Sequence, residues 1–207
     1  MKTFGFIPSH ITPLTVKFKA PKTMPLPKKY SYKPFLSPVT DQGSYPYCIP
    51  HSIATWLNWR ENTKTGVKID NHIKYEDIYY AKKTMGGEGM TYQDAFDYLK
   101  KQGVKSDKGK LKISTPAIIP HTSLIKAALI ANGPCFGALP VYNSESSAFW
   151  KRTGSPLEGW HSVTIVGWDE NGYIIRNSWG VAYGDRGYIT LPYSDVSNFI
   201  ELWTILG

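Results

Sequence analysis

Cysteine is scarce in this chain of 207 residues. Cys48 and Cys135 are the only two, too few for a disulfide-held miniature scaffold, and no Cys/His cluster has zinc-module spacing. Long apolar runs are missing as well. Nothing approaches the roughly 20 residues of a membrane-spanning helix, and residues 2–8 are too short for a signal-peptide core. A cytoplasmic or otherwise intracellular location is the expectation that follows. Acids are absent from the first 40 positions, where Lys2, Lys17, Lys19, Lys22, Lys28, Lys29 and Lys33 supply seven of the eight net positive charges. From Asp41 onward 17 bases face 16 acids, so a nearly neutral body carries a basic arm. Nine of the 15 prolines lie in the first 50 residues, which makes that arm extended rather than helical. It can contact nucleic acid or another acidic surface, or serve as a packed or solubilising extension. A nucleic-acid module would interleave aromatic and basic residues on a folded face, and that pattern is missing.

What is present is a folding composition: 42% apolar and 19% charged residues, enough to bury about two-thirds of the unfolded surface. Ile49, Ile53, Trp56 and Leu57 recur at helical spacing. Proline is tolerated only in the first turn of a helix, so Pro50 fixes the start at about Cys48 or Ile49. Further helices are expected from Tyr75 to Ala81, from Tyr92 to Lys101 with Gly103 as the stop, and from Ser123 to Ala131. Strand patterns dominate the end: residues 161–167, 173–176, 188–191 and 202–206. Helices first and strands later give an α+β chain, read as two lobes with a cleft between them.

Cys48 then sits at a helix N-terminus, where unpaired amides and the macrodipole favour a thiolate. Taken alone, a cysteine there is as readily a small buried hydrophobe. A nucleophile also needs a base and a group to orient that base. His51, one turn along the same helix, is a local candidate. His161 opens the long strand, and the strand after the Asp169–Gly172 turn region delivers Asn177. A two-residue turn at Asn171-Gly172 would set His161 opposite Ala182, far from Asn177. A four-residue loop, Trp168 to Asn171, would pair Gly167 with Gly172 and bring His161 opposite Ser178. Catalysis by this pair therefore requires the wider loop.

Three ordered blocks carry a resemblance. Residues 38–48 (Pro-Val-Thr-Asp-Gln-Gly-Ser-Tyr-Pro-Tyr-Cys) look like the nucleophile segment of papain-like (C1-type) cysteine peptidases, with Gln42 six residues before Cys48. Residues 160–167 resemble the family's catalytic-histidine strand. Residues 176–180 (Arg-Asn-Ser-Trp-Gly) and 184–188 (Gly-Asp-Arg-Gly-Tyr) resemble its Asn-Ser-Trp-Gly block and the Gly-x-x-Gly-Tyr beyond.

The resemblance implies a papain-like two-lobe fold, with an N-terminal helical lobe carrying the nucleophile helix and a C-terminal β-barrel-like lobe. It implies thiol-dependent peptide hydrolysis through an acyl-enzyme. Cys48 would be the nucleophile and His161 the acid/base; Asn177 would orient the imidazole, while Gln42 and the Cys48 amide would donate to the oxyanion. Trp179 would cover the His–Asn pair, and Trp160 would stand on the substrate side. Gly86 and Gly87, or a match centred on Gly89, would bond an extended substrate. Ala138 would line the pocket for the residue before the cleaved one. The partner would be a peptide or protein substrate of a monomer, without metal or cofactor. A ligase or transpeptidase using the same site, and a silent binding homologue, are the alternatives.

Departures are visible too. Tyr45 replaces the family's first cysteine, and 113 residues separate Cys48 from His161 against about 130–150 in the usual pattern. Residues 1–25 form a basic, proline-containing extension, a short prosegment or surface arm. The peptidase domain is expected over residues 26–207.

Overall fold

The fold is that of a computed structural model, described over residues 3–70, 72–82 and 88–207. In chain order it contains β1 (Tyr30–Ser31), α1 (Cys48–Thr65), α2 (Tyr75–Tyr79), α3 (Tyr92–Lys101), β2 (Val104–Ser106), β3 (Gly109–Leu111) and β4 (Thr115–Ile118). There follow α4 (Ile125–Asn132), β5 (Cys135–Val141), β6 (Gly159–Trp168), β7 (Gly172–Arg176), β8 (Tyr188–Pro192) and β9 (Glu201–Leu206). This is the α+β, two-lobe arrangement. A seven-stranded antiparallel sheet, ordered β4-β9-β5-β6-β7-β8 with β1 on β6, forms the second lobe, and α1 to α3 with the β2–β3 hairpin form the first. One core lies between the sheet and α4; the other gathers α1, α2 and α3 against Phe136, Ala138 and Trp203 of the sheet.

Local chemistry explains the helix ends. Pro50 sits in the first turn of α1, and Gly66 closes that helix in the left-handed region at φ 69°. Thr91 caps α3 by accepting the Asp94 amide at 3.0 Å. The first turns of α1, from Cys48 through Asn58, are buried on every side, because this helix lies at the seam of the lobes. α2 ends at Tyr79, two residues before the expected stop at Ala81, and the last expected helix begins as a 3-10 turn before α4.

The loop between β6 and β7 follows neither register considered above. Trp168 pairs with Tyr173, leaving residues 169–172 as the turn, and a bulge between Ile165 and Gly167 then shifts the ladder so that Thr164 pairs with Arg176. The bulge absorbs one residue and twists β6, and β7 ends just before Asn177.

The basic arm is packed at two places among its described residues. Residues 5–7 form a parallel bridge with Met90, and the Gln93 side chain donates to the His10 carbonyl at 2.9 Å. After a turn in which the Thr12 amide donates to Thr15 Oγ1, the arm runs parallel to β4; the Phe18 amide donates to the Ile118 carbonyl at 2.8 Å. Phe18 is buried in the sheet-lobe core, with Ala20 and Met24 packed against it. Packing thus divides the extension near residues 12–15, ahead of residue 25.

Candidate active site

Cys48 begins α1 and is fully buried. Burial pushes its thiol up to about 11, while backbone amides facing the sulfur from Ser162, Gly5 and Ile49 act in the opposite sense. Ser162 follows His161 on β6, so the sulfur lies against the strand that carries the imidazole, at the seam between α1 and β6. Cys135 is equally buried, its thiol pushed up to about 12 by desolvation, on a strand facing the core. His51 is engaged by other groups. Its Nδ1 shares a hydrogen bond of 2.7 Å with Thr40 Oγ1, and its ring stacks on Tyr75 at 4.1 Å.

His161 and Asn177 meet: Nε2 lies 2.7 Å from Asn177 Oδ1. An amide oxygen only accepts, so Nε2 carries a proton, and in the neutral ring the lone pair is on Nδ1. The same Asn177 oxygen accepts the Ser178 amide at 2.7 Å, which locks its orientation. Trp179 stacks on the imidazole at 4.3 Å, and Phe149 packs edge-on to it at 5.8 Å, so the pair lies under aromatic cover. Gln42 is oriented through its other atom: Oε1 accepts from Ser178 Oγ at 2.7 Å, so Nε2 points to the cleft. The loop before Gln42 is tied down by buried Arg176, which donates to the Ser37 and Pro38 carbonyls at 2.6 and 2.5 Å.

The arm occupies this cleft. Gln42 Nε2 donates to the Thr3 carbonyl at 3.1 Å, besides the Tyr45 carbonyl at 2.9 Å. The Gly5 amide faces the sulfur, and Gly5 packs so closely that an added Cβ would lie 2.0 Å from the Pro46 carbonyl oxygen. Met90 gives its carbonyl to the Ile7 amide and its amide to the Gly5 carbonyl, both at 2.9 Å. Gly89, at φ 118° with the Gly5 oxygen 3.0 Å from the position of a Cβ, allows that approach. Phe4 reaches Trp179, and Phe6 stands edge-on to Tyr92 at 5.4 Å. What the arm offers the sulfur is thus an N–H rather than a carbonyl carbon.

Gly86 and Gly87 lie outside the described residues. Ala138 is buried on β5 beside Phe6 in the helical-lobe core, and Trp160 lines a cavity of about 680 Å³ together with Thr3, Phe4 and Phe6. Met90, Tyr92 and Ser162 escaped sequence reasoning. Met90 acts through its backbone, for which a side-chain pattern gives no signal. Tyr92 bonds Ser162 Oγ at 2.6 Å, a pairing across 70 positions that only folding reveals.

A family model described as papain family cysteine protease matches residues 39–200. The chain belongs to that family. Among curated relatives, digestive cysteine proteinase 2 of Homarus americanus is 24% identical, covering 94% of this chain and 70% of its own. The gut-specific cysteine proteinase of Caenorhabditis elegans is 31% identical over 46% of this chain and 31% of its own. Cathepsin B-like CP3 of Giardia intestinalis is 30% identical over 66% and 46%. This papain-family chain thus spans less than half the length of several relatives it matches. Among solved structures, xylellain from Xylella fastidiosa superposes with a TM-score of 0.83 at 23% identity, covering 98% of this chain and 95% of that one. Procathepsin B S9 from Trypanosoma congolense gives 0.81 at 17%, covering 99% and 86%. These two likenesses carry the fold.

Proposed function

We propose that the protein hydrolyses peptide bonds of a peptide or protein substrate through a covalent acyl-enzyme on Cys48. The observation that carries this reading is the His161 Nε2 bond to Asn177 Oδ1 at 2.7 Å on the strand that also faces the Cys48 sulfur through Ser162. The thiol proton passes to His161 Nδ1, and the thiolate attacks the substrate carbonyl carbon. Negative charge on the carbonyl oxygen is met by Gln42 Nε2 and the Cys48 amide. His161 returns the proton to the departing amine; water, deprotonated by the same nitrogen, then releases the acid and restores the thiol. The likeness to proteins described as cysteine proteinases supports this chemistry.

The arm is the built-in block of that cleft. It places a carbonyl on the Gln42 donor and an amide, which the thiolate cannot attack, at the sulfur. Several solved neighbours are described as procathepsins, which supports a prosegment-like role. The test is labelling by an epoxysuccinyl inhibitor with mass mapping. The full chain with Gly5→Val, whose side chain cannot sit against Pro46, is expected to label on Cys48 far faster than wild type. Labelling should vanish in Cys48→Ala and fall sharply in His161→Ala. No label in the opened chain, with folding intact, would overturn the hydrolytic reading; equal rates for wild type and Gly5→Val would overturn the block.

A further inference from the structure

Three buried hydroxyls meet between the lobes: Tyr92 on α3, Ser162 on β6 and Ser52 on α1. The Ser162 hydroxyl donates to Ser52 Oγ at 2.9 Å and has no second proton to give. The contact of 2.6 Å between Tyr92 and Ser162 is therefore the phenol donating to Ser162 Oγ. The same phenol lies 3.2 Å from the Gly137 carbonyl of β5, and Thr164 Oγ1, two residues along β6, donates to the Ser52 carbonyl at 3.4 Å. Elements of both lobes are thus tied at one point. That point adjoins the reacting groups: Ser162 follows His161 and turns its amide to the Cys48 sulfur, and Ser52 stands one turn after Cys48 on α1.

We propose that Ser162, gripped by Tyr92 and Ser52, is a positioning residue: its hydroxyl clamps the strand carrying His161 to the helix carrying Cys48 and so fixes the approach of imidazole to sulfur. This rests on reading Cys48 and His161 as the reacting pair. Apolar burial is non-directional and would let β6 slide against α1, whereas two hydrogen bonds of set length and angle hold one register. The titratable side chains acting on Tyr92 are Cys48 of α1 and Glu201 of β9, with His161 beside Ser162 on β6. Burial pushes the phenol well above its ordinary value, and Cys48 and Glu201 act in the same sense, so Tyr92 stays a neutral donor. Breaking one bond of a buried network leaves its other members short of a partner, and the seam loosens. Fewer molecules then hold the imidazole against the sulfur, and the thiolate forms at higher pH.

The test uses the full-length chain opened by Gly5→Val, with Tyr92→Phe and Ser162→Ala added singly and together. Iodoacetamide, too small to fill the substrate cleft, alkylates Cys48, and its rate is followed against pH with mass mapping. Peptide turnover and melting temperature are read beside it. Tyr92→Phe keeps the ring, and is expected to move the acid limb of the profile up by about 0.7 pH unit. The rate on that limb then falls about fivefold, the size of one hydrogen bond, while the plateau at high pH is unchanged. Ser162→Ala breaks both bonds and should shift the limb further, and the double variant should match Ser162→Ala alone. An unmoved limb, or a loss that is uniform at every pH, marks the hydroxyls as structural and overturns the proposal; additive shifts in the double variant overturn it too. Should Ser162→Ala fail to fold, Tyr92→Phe decides alone. Shifted limbs without peptide turnover in any form sustain the clamp and sink hydrolysis; turnover with unshifted limbs does the reverse. If Cys48 of the folded, opened chain reacts only in the ordinary thiol range, there is no pair to position and both readings fall.

Discussion

Gln42 is held at both ends of its amide, by Ser178 Oγ on Oε1 and by the Thr3 and Tyr45 carbonyls on Nε2. On the proposed mechanism a substrate oxyanion takes the place of the Thr3 oxygen and finds this donor already in position, and preorganisation of this kind acts on the transition state. Gln42→Ala in the Gly5→Val chain should lower kcat by about 100-fold with little change in KM, measured under saturating peptide. A loss carried by KM would assign Gln42 to ground-state binding. His51 gives a prediction in pH. Burial holds its imidazole down at about 4, against an ordinary value of 6.5, with Arg176 adding and Asp41 opposing. The unfolded chain then takes up a proton before the folded one. Stability from this group is full above about pH 6.5 and is lost as pH falls toward 4, by about 3 kcal/mol. Urea unfolding at pH 7 and 4.5 should show that His51→Gln loses about 2 kcal/mol less than wild type on acidification. Equal losses would place the acid sensitivity elsewhere.

The arm behaves as two elements. Residues 3–10 lie in and beside the cleft, whereas residues 16–18 extend the sheet along β4, with Phe18 in the core. Phe18→Ala should cost about 3–4 kcal/mol by thermal or chemical unfolding, as deletion of a buried ring does. Removing residues 1–11 should therefore leave the melting temperature close to that of the full chain while unblocking the thiol. Removing residues 1–25 should also strip Phe18 and lower it strongly. Equal stability of the two truncations would refute the division. The helices were legible because their ends are written in local chemistry, with Pro50 starting α1 and Thr91 and Gly103 bounding α3. β4 was not legible: it contains Pro116, admissible at an edge, and its partners are β9 and the arm, both distant in sequence.

Across the whole molecule, the cleft segment is joined to a fixed strand by only residues 11–15, so closure is intramolecular. A short tether supplies an effective concentration of about a millimolar, and closure then needs little intrinsic affinity. A synthetic peptide of residues 3–10 is expected to inhibit the Gly5→Val chain only at high micromolar to millimolar concentration. Nanomolar inhibition would mean that the contacts alone, without the tether, hold the arm. The sequence by itself determined what rests on residue type and local spacing: the α+β class and the helix that presents Cys48; it also named Cys48, His161, Asn177 and Gln42 as the candidate set. The meeting of His161 with Asn177 was readable in kind but not in register, because a bulge near Val166 follows from sheet packing and not from turn chemistry. Tertiary structure alone decided where the arm goes. Its contacts with Gln42, the Cys48 sulfur, Met90 and Glu201 join backbone groups to residues up to 192 positions away, and main-chain N–H and C=O groups carry no sequence signature.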